Sequence, residues 1–435
     1  MKRTIFYMSA LLSVLAMILA ACAPATPTAS PPAEPPPTEA PTEAPTAAPT
    51  EAPTEGPFVF GMLLVGPYND HGWSQAHYDA GKYVEEKTGA TMIYLDKVNP
   101  ADRPGTTPDQ LAEELVSQGA QLVIFNSDDM KDASTTFATA HPEIPVIMAS
   151  GDQVWADGQA FQEIPNMTNI MGRMEYGKMM AGCAAALTTR TGQIGYLGPL
   201  INDETRRLAA SAYLGARYCW ENYLGHDAAD LKFKITWIGF WFNIPGFTSD
   251  PTVVADDFFN SGHDVVMSGI DTTEALTEAN RLAAEGNPVW AVPYDYIGAC
   301  DEAPTVCLGV PYFNWGPAYA QVIGDAMAHT FTSDFQWNGP DWADINNPDT
   351  SAIGFANGPA LGAQVEGPTA VSADPVADLA DFISQLAGGL NLWTGPLNLQ
   401  DGTAYLADGE VATDQQVWYL PQLLEGMEGQ SVPTQ

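Results

Sequence analysis

Residues 58–95 read FVFGMLLVGPYNDHGWSQAHYDAGKYVEEKTGATMIYL. The run Phe58–Val65 is continuously apolar and predicts a strand buried on both faces. Ser74–Thr88 sets Ala76, Ala80, Tyr83 and Val84 on one face at helical spacing, and Thr91–Leu95 is a second strand. This strand–helix–strand unit recurs. Thr107 caps a helix over Pro108–Gln118, with Pro108 in its first turn, Gln110 in the capping-box position and Gly119 as its stop. Strands at Gln121–Asn126 and Ile144–Ser150 then flank a helix near Lys131–His141.

The second half repeats the alternation. A small-residue helix over Glu175–Arg190 leads to a strand at Gln193–Gly198, a helix at Asp203–Tyr223 and a strand at Phe233–Trp241. Asp250 and Pro251 open a helix to Asn260; a strand follows at Asp264–Ile270. A helix at Thr272–Glu285, with Asp271 and Glu274 as a capping box, precedes a strand at Pro288–Asp295. Single helices between strands mean right-handed crossovers and parallel sheets. Roughly seven such units exceed one comfortable doubly wound sheet, so an α/β architecture of two Rossmann-like lobes with a cleft between them is expected. Beyond Asp295 come a strand at Val306–Phe313, a helix at Pro317–Phe331 and a Gly-, Asp- and Trp-rich tail with a hairpin near Asp401-Gly402.

The region before this alternation is of a different kind. Lys2 and Arg3 precede an apolar run from Ile5 to Ala21, the charged and apolar regions of a secretory signal over residues 1–21. That run is shorter than a membrane-spanning helix needs. It ends in Leu19-Ala20-Ala21-Cys22, which resembles the bacterial lipoprotein box, so Cys22 is the expected lipid attachment site and the protein is expected on the extracytoplasmic side of the cell membrane. Residues 22–57 are dominated by Pro, Thr, Ala and Glu, a composition without core-forming side chains. Such a tether in polyproline II form reaches on the order of 100 Å.

The net charge of −37, from 16 Lys and Arg against 53 Asp and Glu, argues against nucleic acid, anionic lipid surfaces and multiply phosphorylated ligands. Four cysteines remain beyond Cys22, an even number in an exported chain, which suggests disulfides. Cys300 and Cys307 flank a short acidic loop and are expected to pair; Cys183 with Cys219 would then join two helices, buried free thiols being the alternative. No Cys-x-x-Cys metal pair, phosphate loop or Gly-x-Ser-x-Gly elbow occurs, and His71 and His77 have no metal-ligand spacing. No metal or cofactor is expected, and no enzyme.

Several features gather where strands end: Asp70-His71-Gly72-Trp73, Asn126-Ser127-Asp128-Asp129, Gly239-Phe240-Trp241-Phe242 and Tyr294-Asp295-Tyr296. Aromatic faces beside carboxylates suit a flat, nitrogen-rich ligand, which needs stacking surface and acceptors for its N–H groups. The competing readings are helix caps for Asp70 and Asp128, and a core position for Trp241.

Four stretches in order, Asp70–His77, Tyr176–Ala185, Thr189–Gly198 and Leu392–Pro396 with the hairpin through Asp401-Gly402, resemble the basic membrane protein family of ABC-importer substrate-binding lipoproteins. The resemblance spans Phe58 to Gly429 and implies the type 1 periplasmic binding protein fold. It places three crossings near Thr168, Tyr296 and Gln336, so that 58–167 with 297–335 forms one lobe and 168–296 with 336–430 the other. It further implies capture of a purine nucleoside or purine base by a monomer that delivers it to permease subunits. Asp70, Trp73, Asn126, Asp128, Trp241, Gly269, Asp295 and Asn314 would line the cleft. Where nucleoside-binding members carry a Lys that contacts ribose, this chain reads Tyr312-Phe313-Asn314-Trp315-Gly316-Pro317, an aromatic replacement. A ligand sensor coupled to a membrane receptor shares the fold; a secreted hydrolase lacks support because no nucleophile–base pair is assembled locally.

Overall fold

The computed structural model describes residues 56–363 and 372–433. The signal segment 1–21, the lipidation site Cys22 and the tether up to residue 55 lie outside the described residues. The first half runs β1 (Val59–Leu63), α1 (Trp73–Thr88), β2 (Thr91–Leu95), α2 (Pro108–Ser117), β3 (Leu122–Phe125), α3 (Lys131–Ala140), β4 (Val146–Ala149) and β5 (Met167–Gly172). The second runs α4 (Met174–Thr188), β6 (Gln193–Gly198), α5 (Asp203–Asn222), β7 (Lys232–Trp237), α6 (Pro251–Asn260), β8 (Val265–Ser268), α7 (Glu274–Ala284) and β9 (Trp290–Val292). The closing region holds β10 (Gly309–Phe313), α8 (Gly316–Met327), β11 (Asp334–Asn338), β12 (Ile353–Asn357) and α9 (Pro359–Ala363). It ends with α10 (Pro375–Ala387), β13 (Leu397–Asn398), β14 (Ala404–Leu406), α11 (Asp414–Trp418) and β15 (Met427–Glu428).

Two parallel sheets result. One has six strands in the order β11-β5-β4-β3-β1-β2 and the other five in the order β15-β7-β6-β8-β9. The central strands β3, β4 and β8 are buried along their whole length, as strands covered by helices on both faces must be. The expected capping box of α2 forms through Thr107 and Gln110. That of α7 does not: the helix begins at Glu274 with Thr273 as an N-cap whose side chain makes no cap bond. Asp271 lies before that turn, where its N–H donates to the Trp241 carbonyl at 2.9 Å, so the tertiary contact wins over the local one.

Both disulfides are present, Cys183–Cys219 joining α4 to α5 and Cys300–Cys307 closing the acidic loop. Thr168 and Gln336, near which two of the crossings are expected, sit inside β5 and β11, which pair with each other in the six-stranded sheet. Tyr296 precedes a segment still bridged to the second sheet through Ala291–Cys307 and Asp295–Tyr312. The chain returns to the first sheet with α8, which packs on α1, and with β11, which pairs with β5. Among the described residues no helix is long and apolar enough to cross a membrane.

Candidate ligand-binding site

A cavity opens at the carboxyl ends of strands from both sheets, as crossover geometry dictates. From the six-stranded side come Trp73 at the start of α1, Ser127 and Asp128 after β3, and Ser150 after β4. From the other side come Tyr196 of β6, Glu204, Thr205 and Leu208 of α5, Trp241 after β7, Gly269 and Asp271 after β8, and Tyr294 after β9. The space between these walls is about 390 Å³, its mouth included.

The Trp73 indole is fixed from behind. Its Nε1–H donates to the Asn126 carbonyl at 2.6 Å, and Phe313 and Trp315 meet it edge-on at 5.3 Å between ring centres. Trp315 in turn stacks on Phe313 at 4.7 Å and on His77 at 4.4 Å. Phe313 and Trp315 therefore buttress a cavity wall. Burial holds the His77 imidazole well below its ordinary pKa, which leaves it neutral beside the Tyr319 hydroxyl at 2.7 Å. Among the described residues no group of His, Cys, Asp or Glu could hold a metal ion.

Buried polar atoms without partners are uncommon in folded proteins, and here they collect around one space. Trp241 Nε1 and Ser150 Oγ lack a hydrogen-bond partner among the described residues, and both residues line the cavity. Ser150 also adopts φ +64°, a conformation unfavourable for a side chain with a Cβ, at the end of β4. Gly269 has a packing reason to be glycine: an added Cβ would stand 2.6 Å from the Tyr196 ring.

The electrostatics are those of a carboxyl-rich pocket in which burial favours the protonated forms. Burial pushes Glu204 up to about 7, with Asp128 and Glu175 adding to the effect and Arg207 opposing it. Burial likewise raises Asp128 and raises Asp271 well above the usual carboxyl range, the latter helped by Asp295 and Asp70. Behind Tyr294, the buried Lys178 ammonium donates to the Ser268 carbonyl at 2.8 Å and lies 3.1 Å from the Tyr294 ring centre. Burial pulls it down to about 7 against the pull of Asp295 and Glu204.

These shifts predict how the ligand-free protein responds to pH. Glu204, raised from 4.5 to about 7, and Asp70, raised from 3.8 to about 6, keep protons in the folded state that the unfolded chain releases. Their contribution is complete below the unfolded values and is lost as pH climbs through the folded ones. Lys178, lowered from 10.5 to about 7, acts in the opposite sense: its contribution is complete above 10.5 and is lost as pH falls through 7. The melting temperature should decline from about pH 5 to pH 7, and Glu204→Gln should flatten that decline. An unchanged slope in the variant would remove this carboxyl as its source.

The residues singled out from sequence divide into two groups. Trp73, Asp128, Trp241 and Gly269 line the cavity together. Asp70 caps α1 instead, accepting from Gly72 N and Gln75 N through Oδ1 and from Ser74 N through Oδ2. Asn126 stands one layer behind Trp73, its Oδ1 taking the Val65 N–H at 2.9 Å. Asp295 is fully buried at φ +74°, with neither carboxylate oxygen partnered, and is not part of the cavity wall. Asn314 ties two segments that join the sheets, donating through Nδ2 to the carbonyls of Pro348 and Ser351. Ser150, Tyr196, Glu204 and Asp271 escaped the sequence reading; the strand-end rule that found Asp128 would have found Ser150 and Asp271.

Comparison with known proteins agrees with this architecture. Residues 58–338 match the family described as ABC transporter substrate-binding protein PnrA-like. A purine-binding protein of Brucella abortus is 25% identical over 64% of this chain and 71% of its own length. A Haloferax volcanii protein provisionally named as an ABC transporter glucose-binding protein is 25% identical over 63% of this chain and 62% of its own length. The crystal structure of a solute-binding protein of an ABC transporter system from Aeropyrum pernix covers 79% of this chain and 93% of its own, with TM-score 0.60 at 13% identity, and shares the fold.

Proposed function

We propose, for a chain that belongs to the family of PnrA-like ABC transporter substrate-binding proteins, that the cavity captures a purine base or purine nucleoside. Capture is without bond chemistry, and the loaded protein delivers its ligand to membrane permease subunits. The observation that supports the ligand class is the pairing of indoles from two sheets, Trp73 and Trp241, with unpartnered polar atoms and carboxylates in one buried space. A heteroaromatic ring offers π-faces to the indoles, N–H groups to the carboxylates and ring nitrogens to the Trp241 N–H. The name of the Brucella abortus relative supports the same class.

The two sheets and the helices on them are read as lobes that close over the ligand by bending at the connecting segments, near Arg173, Asn314 and the stretch after Asn338. Cys22, if lipidated, would hold this monomer at the outer membrane face on its tether. A ligand-sensing role coupled to a membrane receptor would use the same closure and differs only in the partner.

A thermal-shift screen of the full chain against purines, nucleosides, flavins, sugars and amino acids tests the ligand, since tight binding to the folded state must raise the melting temperature. A shift confined to purines or nucleosides supports the reading; a shift from glucose with silence from every purine overturns the ligand and keeps the binding role. With the best purine ligand, Trp241→Ala should weaken binding by more than about 1 kcal/mol, roughly fivefold or more. Full affinity in a folded variant would take this ring out of the site.

A further inference from the structure

Helix α11 and Tyr419 lie outside the stretch 58–338 that matches the family, just before the chain enters the second sheet as β15, which pairs with β7. The segment is fastened to a helix of that sheet. The Leu420 carbonyl takes the Arg206 Nε–H at 2.8 Å, and the Arg207 guanidinium of α5 lies 4.0 Å from the Trp418 ring centre.

Its other side reaches the first sheet. The loop after β4 is held to β5 by Asn169 Oδ1, which accepts the Val154 N–H at 2.8 Å, and its Trp155 ring lies almost parallel to Phe335 of β11 at 4.8 Å. Tyr419 adds a third layer, its ring 5.8 Å from that of Trp155 and tilted by only 12°. The Tyr419 hydroxyl donates to the Asp152 carboxylate and accepts the Gln159 N–H at 2.7 Å. Within α11, Gln415 Nε2 donates to the Asp157 carbonyl, and Asp414 grips Arg173 at 3.0 and 2.8 Å. The approach is so close that a Cβ on Gly158 would stand 2.9 Å from the Tyr419 hydroxyl oxygen. The gripped loop follows directly on Ser150, which lines the ligand cavity.

Bending that parts the sheets has to break this ring stack and these hydrogen bonds together, because one short segment cannot follow both sheets. Contacts made only in the closed arrangement hold ligand in without hindering its entry into the open form. We propose that α11 and Tyr419 form a clasp from the second lobe onto the loop after β4 of the first, and that release of this clasp limits the escape of bound ligand. The proposal rests on the reading of the two sheets as lobes that close over a ligand.

Stopped-flow fluorescence of the full chain measures association and dissociation rates separately; the probes are hypoxanthine and adenosine, with glucose in their place if both are silent. Tyr419→Ala should raise the dissociation rate about tenfold or more, the worth of a ring stack with a hydrogen bond. The association rate should stay within about twofold. Tyr419→Phe keeps the ring and loses both hydroxyl contacts; it should raise dissociation about threefold and decides the matter if the alanine variant fails to fold. A dissociation rate unchanged in the folded variants, or affinity lost through slower association, would overturn the clasp and leave the binding site standing. Silence of the wild-type chain with all three probes would overturn the capture reading, and the clasp with it.

Discussion

Gly72→Val is expected to cost ligand affinity on the order of 100-fold or more while the protein remains folded. Gly72 belongs to the turn between β1 and α1, and an added Cβ there would stand 1.7 Å from the carbonyl oxygen of Asp271 and 2.6 Å from its carbonyl carbon. Asp271 lies in the turn after β8 of the other sheet, and both neighbours of this contact line the cavity: Trp73 follows Gly72, and Asp271 holds the Trp241 carbonyl at 2.9 Å. Backbone atoms cannot yield as a flexible side chain can, so the two turns must separate. Separation withdraws Trp73 from Trp241 and admits water to the cavity. A ligand that binds the closed arrangement then has to restore a contact that the new side chain forbids, and about 3 kcal/mol of such opposition corresponds to the stated loss. Calorimetry with the best ligand from the screen, beside a melting curve without ligand, checks this. Wild-type affinity in a folded Gly72→Val protein would show that binding does not need the two turns in contact.

Gly215→Ala is expected to destabilise the protein by roughly 3 kcal/mol or more, against the usual rule for helices. In an exposed helix the same change stabilises by about 1 kcal/mol, since glycine is the more flexible residue in the unfolded chain. Gly215 is in α5, where α5 crosses the almost wholly buried α4, and a Cβ would lie 2.0 Å from the Met179 carbonyl oxygen. The contact is reciprocal: Gly182 of α4 approaches the Ala212 carbonyl, where a Cβ would lie at 1.9 Å. Two glycines thus let the backbones approach closely, and the Cys183–Cys219 disulfide clamps the same crossing. With the disulfide preventing the helices from moving apart, the added methyl group has no cheap escape. Gly324→Ala on α8, where nothing lies within 4 Å, is the control and should raise stability by about 0.5–1 kcal/mol. Thermal unfolding followed by circular dichroism distinguishes the two. If Gly215→Ala melted at or above the wild-type temperature, the close helix crossing would be refuted.

How far local sequence reached can be judged on particular elements. Helix α2 was legible because Thr107, Pro108 and Gln110 act on one another within a single turn, and its capping box forms as expected. The equivalent expectation for Asp271 and Glu274 failed because Asp271 has a partner 30 positions away in Trp241, beyond the reach of any local rule. Strands β5 and β11 were passed over for a related reason. Met167–Gly172 shows neither an apolar run nor strict alternation, and Asp334–Asn338 alternates over five residues only; the two pair with each other across a long separation.

The site divides in the same way. Alternation of strands with single helices determined parallel sheets, and parallel sheets put Trp73, Asp128, Trp241 and Gly269 at carboxyl ends where a cavity can open. Sequence periodicity carries that information because it reflects contacts a few residues apart. Which carboxylates face the cavity was decided by the packing of one sheet's turns on the other's. That packing left Asp70 capping its own helix, sealed Asp295 behind the wall, drew Asn314 into a connecting segment and left the Arg207 guanidinium without acceptors for its outer nitrogens. The cap at Asp70 is local, but the other outcomes depend on contacts between segments tens of residues apart or more, and such contacts exist only once the tertiary structure has formed.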